Sequence, residues 1–195
     1  MQALIHYANR LQDLVDAARK LDFLGSVALR LVLAFIFIGA GFVKINNFEN
    51  TAMWFGSALG MPAPTLMAFL ATVAEFGGGI LILLGLAVRY VTIPLMITMV
   101  VAGLSVHAEN GWYTVGQGSP STNWARPWAE LGIPAAKASL ENSEEVGRRR
   151  NMARNLLREH GNYDWLTEKG SITILQNGIE TSAYYFIMLL ALFFL

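Results

Sequence analysis

Cysteine is absent from the 195 residues. Disulfides, thiolate metal sites, cysteine nucleophiles and iron–sulfur clusters are therefore excluded together. Charge is scarce as well. Asp, Glu, Lys and Arg make up 14% of the chain, against about a quarter in an ordinary soluble domain. The charges also cancel, 14 basic residues against 14 acidic ones, which removes the basic face by which proteins hold nucleic acid. Histidine occurs at positions 6, 107 and 160 alone, too few for a His-rich metal centre. There is no Walker loop and no G-x-S-x-G elbow. What is plentiful is apolar surface: 54% of the residues are hydrophobic, with five Trp, eleven Phe and six Tyr. The mean hydropathy is +0.44. Such a chain is too apolar to be disordered and too apolar for one small aqueous core. An all-α integral membrane protein remains.

A bilayer core is crossed by about 20 mostly apolar residues in a helix. Four stretches fit, at about 23–43, 65–86, 90–106 and 172–195. The first is interrupted by Arg30 and the second by Glu75, while the third is short and uncharged. The fourth begins with Gln176, Asn177 and Glu180 and ends in the run Ala183–Leu195. That run has no polar tail, so the chain is expected to continue past Leu195. Leu31–Ile38 followed by Gly39-Ala40-Gly41 imitates a cleavable signal, but the apolar stretch begins before Arg30, and it reads as a retained helix. Ahead of it, Leu4, Tyr7, Leu11, Leu14, Ala18 and Leu21 recur at helical spacing, predicting an interfacial amphipathic helix over 1–22. The fold expected is a four-transmembrane-helix antiparallel bundle in a single membrane domain, 1–195. Arg10, Arg19, Lys20 and the anchor Arg89 put both termini in the cytoplasm by the positive-inside rule.

Residues 107–171 then form a long outer segment, partly helical, and segments of that length carry structure or function. Gly111, Gly116, Gly118 and Ser119-Pro120 supply turns; a helix is predicted from Ser143, as N-cap, to His160, stopped by Gly161. Trp112, Tyr113, Trp124, Trp128, Tyr163 and Trp165 suit a membrane–water boundary. The run Arg148-Arg149-Arg150 reads as a solvated helix face.

Charges inside membrane helices are costly and so are functional candidates. Measured from the outer face at about 1.5 Å per residue, Lys44 and His107 lie at the rim, Glu180 roughly 12 Å down, Glu75 roughly 15 Å and Arg30 roughly 20 Å. Arg30, Lys44, Glu75, His107, Asn177 and Glu180 thus define an expected intramembrane polar cluster. Within it Arg30 is expected beside Glu75, as ion pair or ligand site, while Lys44 reads as a snorkelling boundary residue. Glu180 is expected to carry a proton or to meet Lys44, His107 or a ligand. A mixed metal site from Glu75, His107 and Glu180 is the further alternative. Gly77-Gly78-Gly79, with Ala71 and Ala74, reads as a surface for close helix packing.

Arg30, then Gly39-Ala40-Gly41-Phe42-Val43-Lys44, then Ala74-Glu75-Phe76-Gly77-Gly78-Gly79, then Gly85, Arg89 and His107, resemble in order the DoxX family of four-helix membrane proteins. The long outer segment and Asn177-Gly178-Ile179-Glu180 resemble its HvfX branch, which is associated with making copper-binding modified peptides. The resemblance implies a bacterial inner-membrane protein accompanying redox or metal-handling systems. It supplies no catalytic residue set, and it leaves the cofactor open among a quinone, a lipid and a metal ion. Three functions follow as expectations. The first is a non-enzymatic accessory or assembly protein in the lipid bilayer, meeting a membrane or periplasmic protein partner through 107–171. The second is a quinone-reactive oxidoreductase subunit, and the third a small-solute or metal transporter.

Overall fold

The computed structural model describes residues 19–116 and 125–195 and, ahead of them, residues 6, 7, 10, 12, 13 and 16. The interfacial helix expected over 1–22 falls largely outside these. The described residues are helical throughout, apart from connections and one isolated bridge between Val115 and Leu175. They form two compact units, one of residues 1–96 with 187–195 and the other of residues 97–186.

Three helices are long and apolar enough to cross a membrane: α1 (Asp22–Asn46), α3 (Pro64–Leu84) and the stretch Val88–Asn110. The last begins as α4 (Val88–Ala102), widens into a π turn, Gly103–His107, and then tightens into a 3-10 turn, Ala108–Asn110. Local chemistry sets the ends of α3. Pro64 occupies its first turn, where a missing N–H costs nothing. Gly85, at φ 71°, closes it: its N–H bonds Ile82 and that of Leu86 bonds Leu81. The connection between α1 and α3 holds a further helix, α2 (Phe48–Ser57). Its Phe55 packs on Ala68 and Ala71 of α3, with Phe48 and Ala52 alongside.

Within the first unit, α1 and α3 run antiparallel at close range. A Cβ placed on Gly41 would lie 2.5 Å from the Phe76 nitrogen, and one on Gly79 would lie 2.8 Å from the Ile38 nitrogen. Gly78 instead faces Val91 and Leu95 of α4, and Gly77 meets nothing. The triple glycine therefore serves two helix contacts with two of its members. Leu33, Ala34, Phe37, Ile82 and Leu95 are buried there, while Leu31, Val32, Phe35, Phe42 and Val43 point outward from α1, as lipid-facing side chains do.

The second unit contains α5 (Ala125–Glu130), α6 (Pro134–His160) and α7 (Tyr163–Thr167). α6 begins nine residues before the expected start, because Pro134 opens it. Ser143 is consequently no cap; it is a buried interior residue whose hydroxyl donates to Gln176 Oε1 at 2.8 Å. The helix of the fourth expected stretch begins later than expected. Residues 172–179 are not helical, and α8 (Glu180–Phe194) has 15 residues. The physical reason lies in the backbone. Asn177 takes φ 61°, and the N–H groups of residues 176 to 180 bond the carbonyls of Thr114, Tyr113, Gly111 and Trp112 instead of helical partners.

Candidate functional site

The polar residues fall into three groups, each of which the fold positions differently. The first is an ion pair in the first unit. Lys44 Nζ donates to Glu75 Oε2 at 2.5 Å, with the two side chains 24% and 7% exposed. Glu75 is thus neutralised from α1, but not by the residue expected. Helix geometry explains the exchange of partners. Side chains lean towards the N-terminus of their own helix. In the antiparallel α1–α3 register, where Gly41 meets Phe76, Lys44 and Glu75 lean towards each other. Arg30 leans away, to the far end of α3. Its guanidinium lies where a side chain on Gly85 would be, with Nη1 2.5 Å from such a Cβ, and its Nε donates to the Ser26 carbonyl at 3.4 Å. The Arg30–Glu75 pairing is therefore corrected to Lys44–Glu75. Lys44 likewise turns inward to a carboxylate, where a snorkelling residue would turn out to water.

The second group lies in the 97–186 unit and ties its two crossing segments. His107 Nδ1 and Asn110 Nδ2 contact the Asn177 carbonyl at 2.8 and 3.3 Å. Glu180 accepts the Thr114 N–H at 2.9 Å on Oε2 and the Tyr184 hydroxyl at 2.8 Å on Oε1. Beside it, the Thr114 and Thr181 hydroxyls meet at 2.7 Å. Gly178 is indispensable for this approach, since a Cβ there would sit 2.5 Å from the Tyr113 oxygen. Buried Gln176 extends the tie to α6, donating to the Asn110 carbonyl while accepting from Ser143. Sequence reasoning missed Thr114, and it missed the partners of Gln176 and Ser143. Gln176 stood out as a polar residue at the start of an apolar stretch, but a buried glutamine has no periodic signature that would name its partners.

The partners of Glu180 make a testable claim about its work. Replacing it with alanine removes the acceptor of the half-buried Thr114 N–H, a loss of about 1 kcal/mol, the low end for an unsatisfied donor. Hydrogen exchange at the Thr114 amide should accelerate in Glu180→Ala and change less in Glu180→Gln, which keeps one acceptor. Equal protection in all three proteins would show that the carboxylate holds nothing there.

The third group is a cavity of about 370 Å³ in the first unit, lined among others by Ser26, Arg30, Gly85, Arg89 and Tyr90. Arg89 stands exposed at the start of α4. Among the described residues, no three His, Asp or Glu side chains converge on a point that would hold a metal ion, and Glu75, His107 and Glu180 are engaged as above.

Apolar helices of membrane-crossing length, with a buried ion pair between them, define a multi-pass membrane protein. The DoxX family profile matches residues 25–108, the stretch that carries Arg30, Lys44, Glu75, Arg89 and His107. Inner membrane protein YphA of Escherichia coli (strain K12) is 32% identical over 109 residues, 55% of this chain and 74% of that protein. The chain belongs to the DoxX family. It is also 34% identical over 83 residues, 43% of its length, to CatD of Bacillus subtilis (strain 168), for which an oxidoreductase activity is proposed in the name. Inner membrane protein YqjF of Escherichia coli (strain K12) is 35% identical over 71 residues, 36% of this chain. The matches span 60% of CatD and 52% of YqjF. No solved structure matches.

Proposed function

We propose that this protein is a membrane accessory or assembly subunit of a redox or metal-handling system, of the copper-peptide kind that the HvfX branch serves. In this reading the membrane helices anchor it with both termini in the cytoplasm, and segment 107–171 meets a protein partner outside. One observation carries the reading: the charged helix α6 leaves Met152 and Leu156 exposed one turn apart, beside exposed Trp165 and Leu166 of α7. Side chains at that spacing share one helix face. An apolar group on an otherwise charged helix suits a partner surface with a hydrophobic centre and a polar rim, and Arg148 and Arg149 would lie on that rim. Photo-crosslinkers placed at Met152 and Leu156 in native membranes are expected to capture one reproducible protein. Adducts with lipid alone would refute the docking role.

A quinone-reactive role is the second reading. It is favoured by the Lys44–Glu75 pair, which can hold or pass a proton within the membrane helices, and by the activity proposed in the name of CatD. Quinol oxidation by membranes carrying the protein should then fall at least about tenfold in Glu75→Gln, as is typical when a proton-transfer group is lost. Unchanged turnover would remove this reading and leave the first untouched.

A further inference from the structure

Ion pairs among the described residues engage Lys44, Arg19, Arg126, Arg149 and His160. Arg30 and Arg89 are not among them, yet both line the same cavity of about 370 Å³. A guanidinium carries five donors, and Arg30 places one of them in a long 3.4 Å bond to the Ser26 carbonyl. The side chain is half-buried beside Gly85, roughly 12 Å along α1 from Asp22. Two cations that share a partly desolvated cavity repel each other unless an anion joins them. The N-terminal end of α4, from which Arg89 projects, adds a further positive potential.

We propose that this cavity binds a phosphate group, carried by the headgroup of an anionic phospholipid. Phosphate oxygens match guanidinium forks bidentately, so one group can engage both arginines. The rest of the cavity favours the lipid as the source over a free anion. Leu192, buried, and Leu195 form an apolar wall beside the arginines, where a glycerol and the start of an acyl chain would lie. Tyr90, 80% exposed, stands at the rim, as aromatic residues do at headgroup level. The site shares no residue with the proposed partner surface or with the Lys44–Glu75 pair. Glu75 lies ten residues from Gly85, about 15 Å along α3.

The test uses the full chain in a mild detergent, with phosphatidylglycerol, phosphatidylcholine or inorganic phosphate added, and bound lipid counted by native mass spectrometry. The wild type is expected to retain phosphatidylglycerol over phosphatidylcholine. Arg30→Gln with Arg89→Gln should lower that retention about tenfold or more, the worth of one charge-assisted hydrogen bond, while Arg126→Gln, at an exposed arginine paired with Glu130, leaves it unchanged. Arg89 is exposed, so Arg89→Gln alone should fold normally and still weaken retention should the double variant be unstable. Displacement by inorganic phosphate without any phosphatidylglycerol preference would overturn the lipid source and assign the cavity to a free anion. Equal retention of both lipids, with no stabilisation by phosphate, would overturn the site altogether.

Discussion

Lys44→Met should destabilise the protein by about 3 kcal/mol, because removing one partner of a buried pair leaves the other charge uncompensated. Glu75 is 7% exposed and Lys44 24%, so water can do little to replace the lost ammonium. In detergent the apparent Tm is expected to fall by roughly 6–12 °C, taking 2–4 °C per kcal/mol for a chain of this size. The double variant Lys44→Met/Glu75→Leu should recover most of the loss, since an apolar pair of similar volume avoids desolvation altogether. The cycle isolates the interaction from the bulk of the side chains. A double variant as unstable as Lys44→Met would mean that Lys44 matters for packing and that the ion pair does not hold the helices. The prediction bears on function as well. If the double variant is stable but inactive in the membrane, the charges are kept for chemistry or recognition rather than for the fold.

Much of this architecture was legible from apolar run length. The first three membrane-crossing stretches fall close to where the runs put them, because a bilayer core accepts few other solutions. The fourth did not, and the reason is instructive. Hydropathy over 172–195 cannot register that Asn177 turns to φ 61° and that the following amides pair with residues 111 to 114. Those are long-range backbone bonds, invisible to any local window. Helix α2 was readable in principle, since Phe48, Ala52 and Phe55 recur at helical spacing and pack on α3. The site was half legible. Cost arguments marked Arg30, Lys44, Glu75 and Glu180 as candidates, but depth counted along separate helices could not pair them. Partner choice depends on helix register and on the N-terminal lean of side chains. The signal for that register was present in Gly41 and Gly79, the two positions where α1 and α3 touch backbone to backbone.

That contact sets the sharpest contrast expected from single substitutions. Gly39 and Gly41 lie in the same turn of α1, and Gly77 and Gly79 in the same turn of α3. An alanine Cβ at Gly41 would stand 2.5–2.7 Å from Phe76 backbone and Cβ atoms, and at Gly79 2.8 Å from the Ile38 nitrogen. These are not flexible side-chain tips, so the helices must separate. Overpacking of this kind costs about 1–3 kcal/mol, and the separation would also pull Lys44 away from Glu75. At Gly39 and Gly77 the same Cβ meets nothing within 4 Å. There alanine should be neutral or stabilising by up to about 1 kcal/mol, from helix propensity alone. Thermal unfolding of the four alanine variants is expected to give losses at Gly41 and Gly79 and none at Gly39 and Gly77. Adding Glu75→Leu/Lys44→Met to Gly41→Ala should then cost little more, because the two changes weaken one contact. A uniform response across the four glycines would mean that α1 and α3 are not in this register, and the assignment of Lys44 as the partner of Glu75 would fall with it.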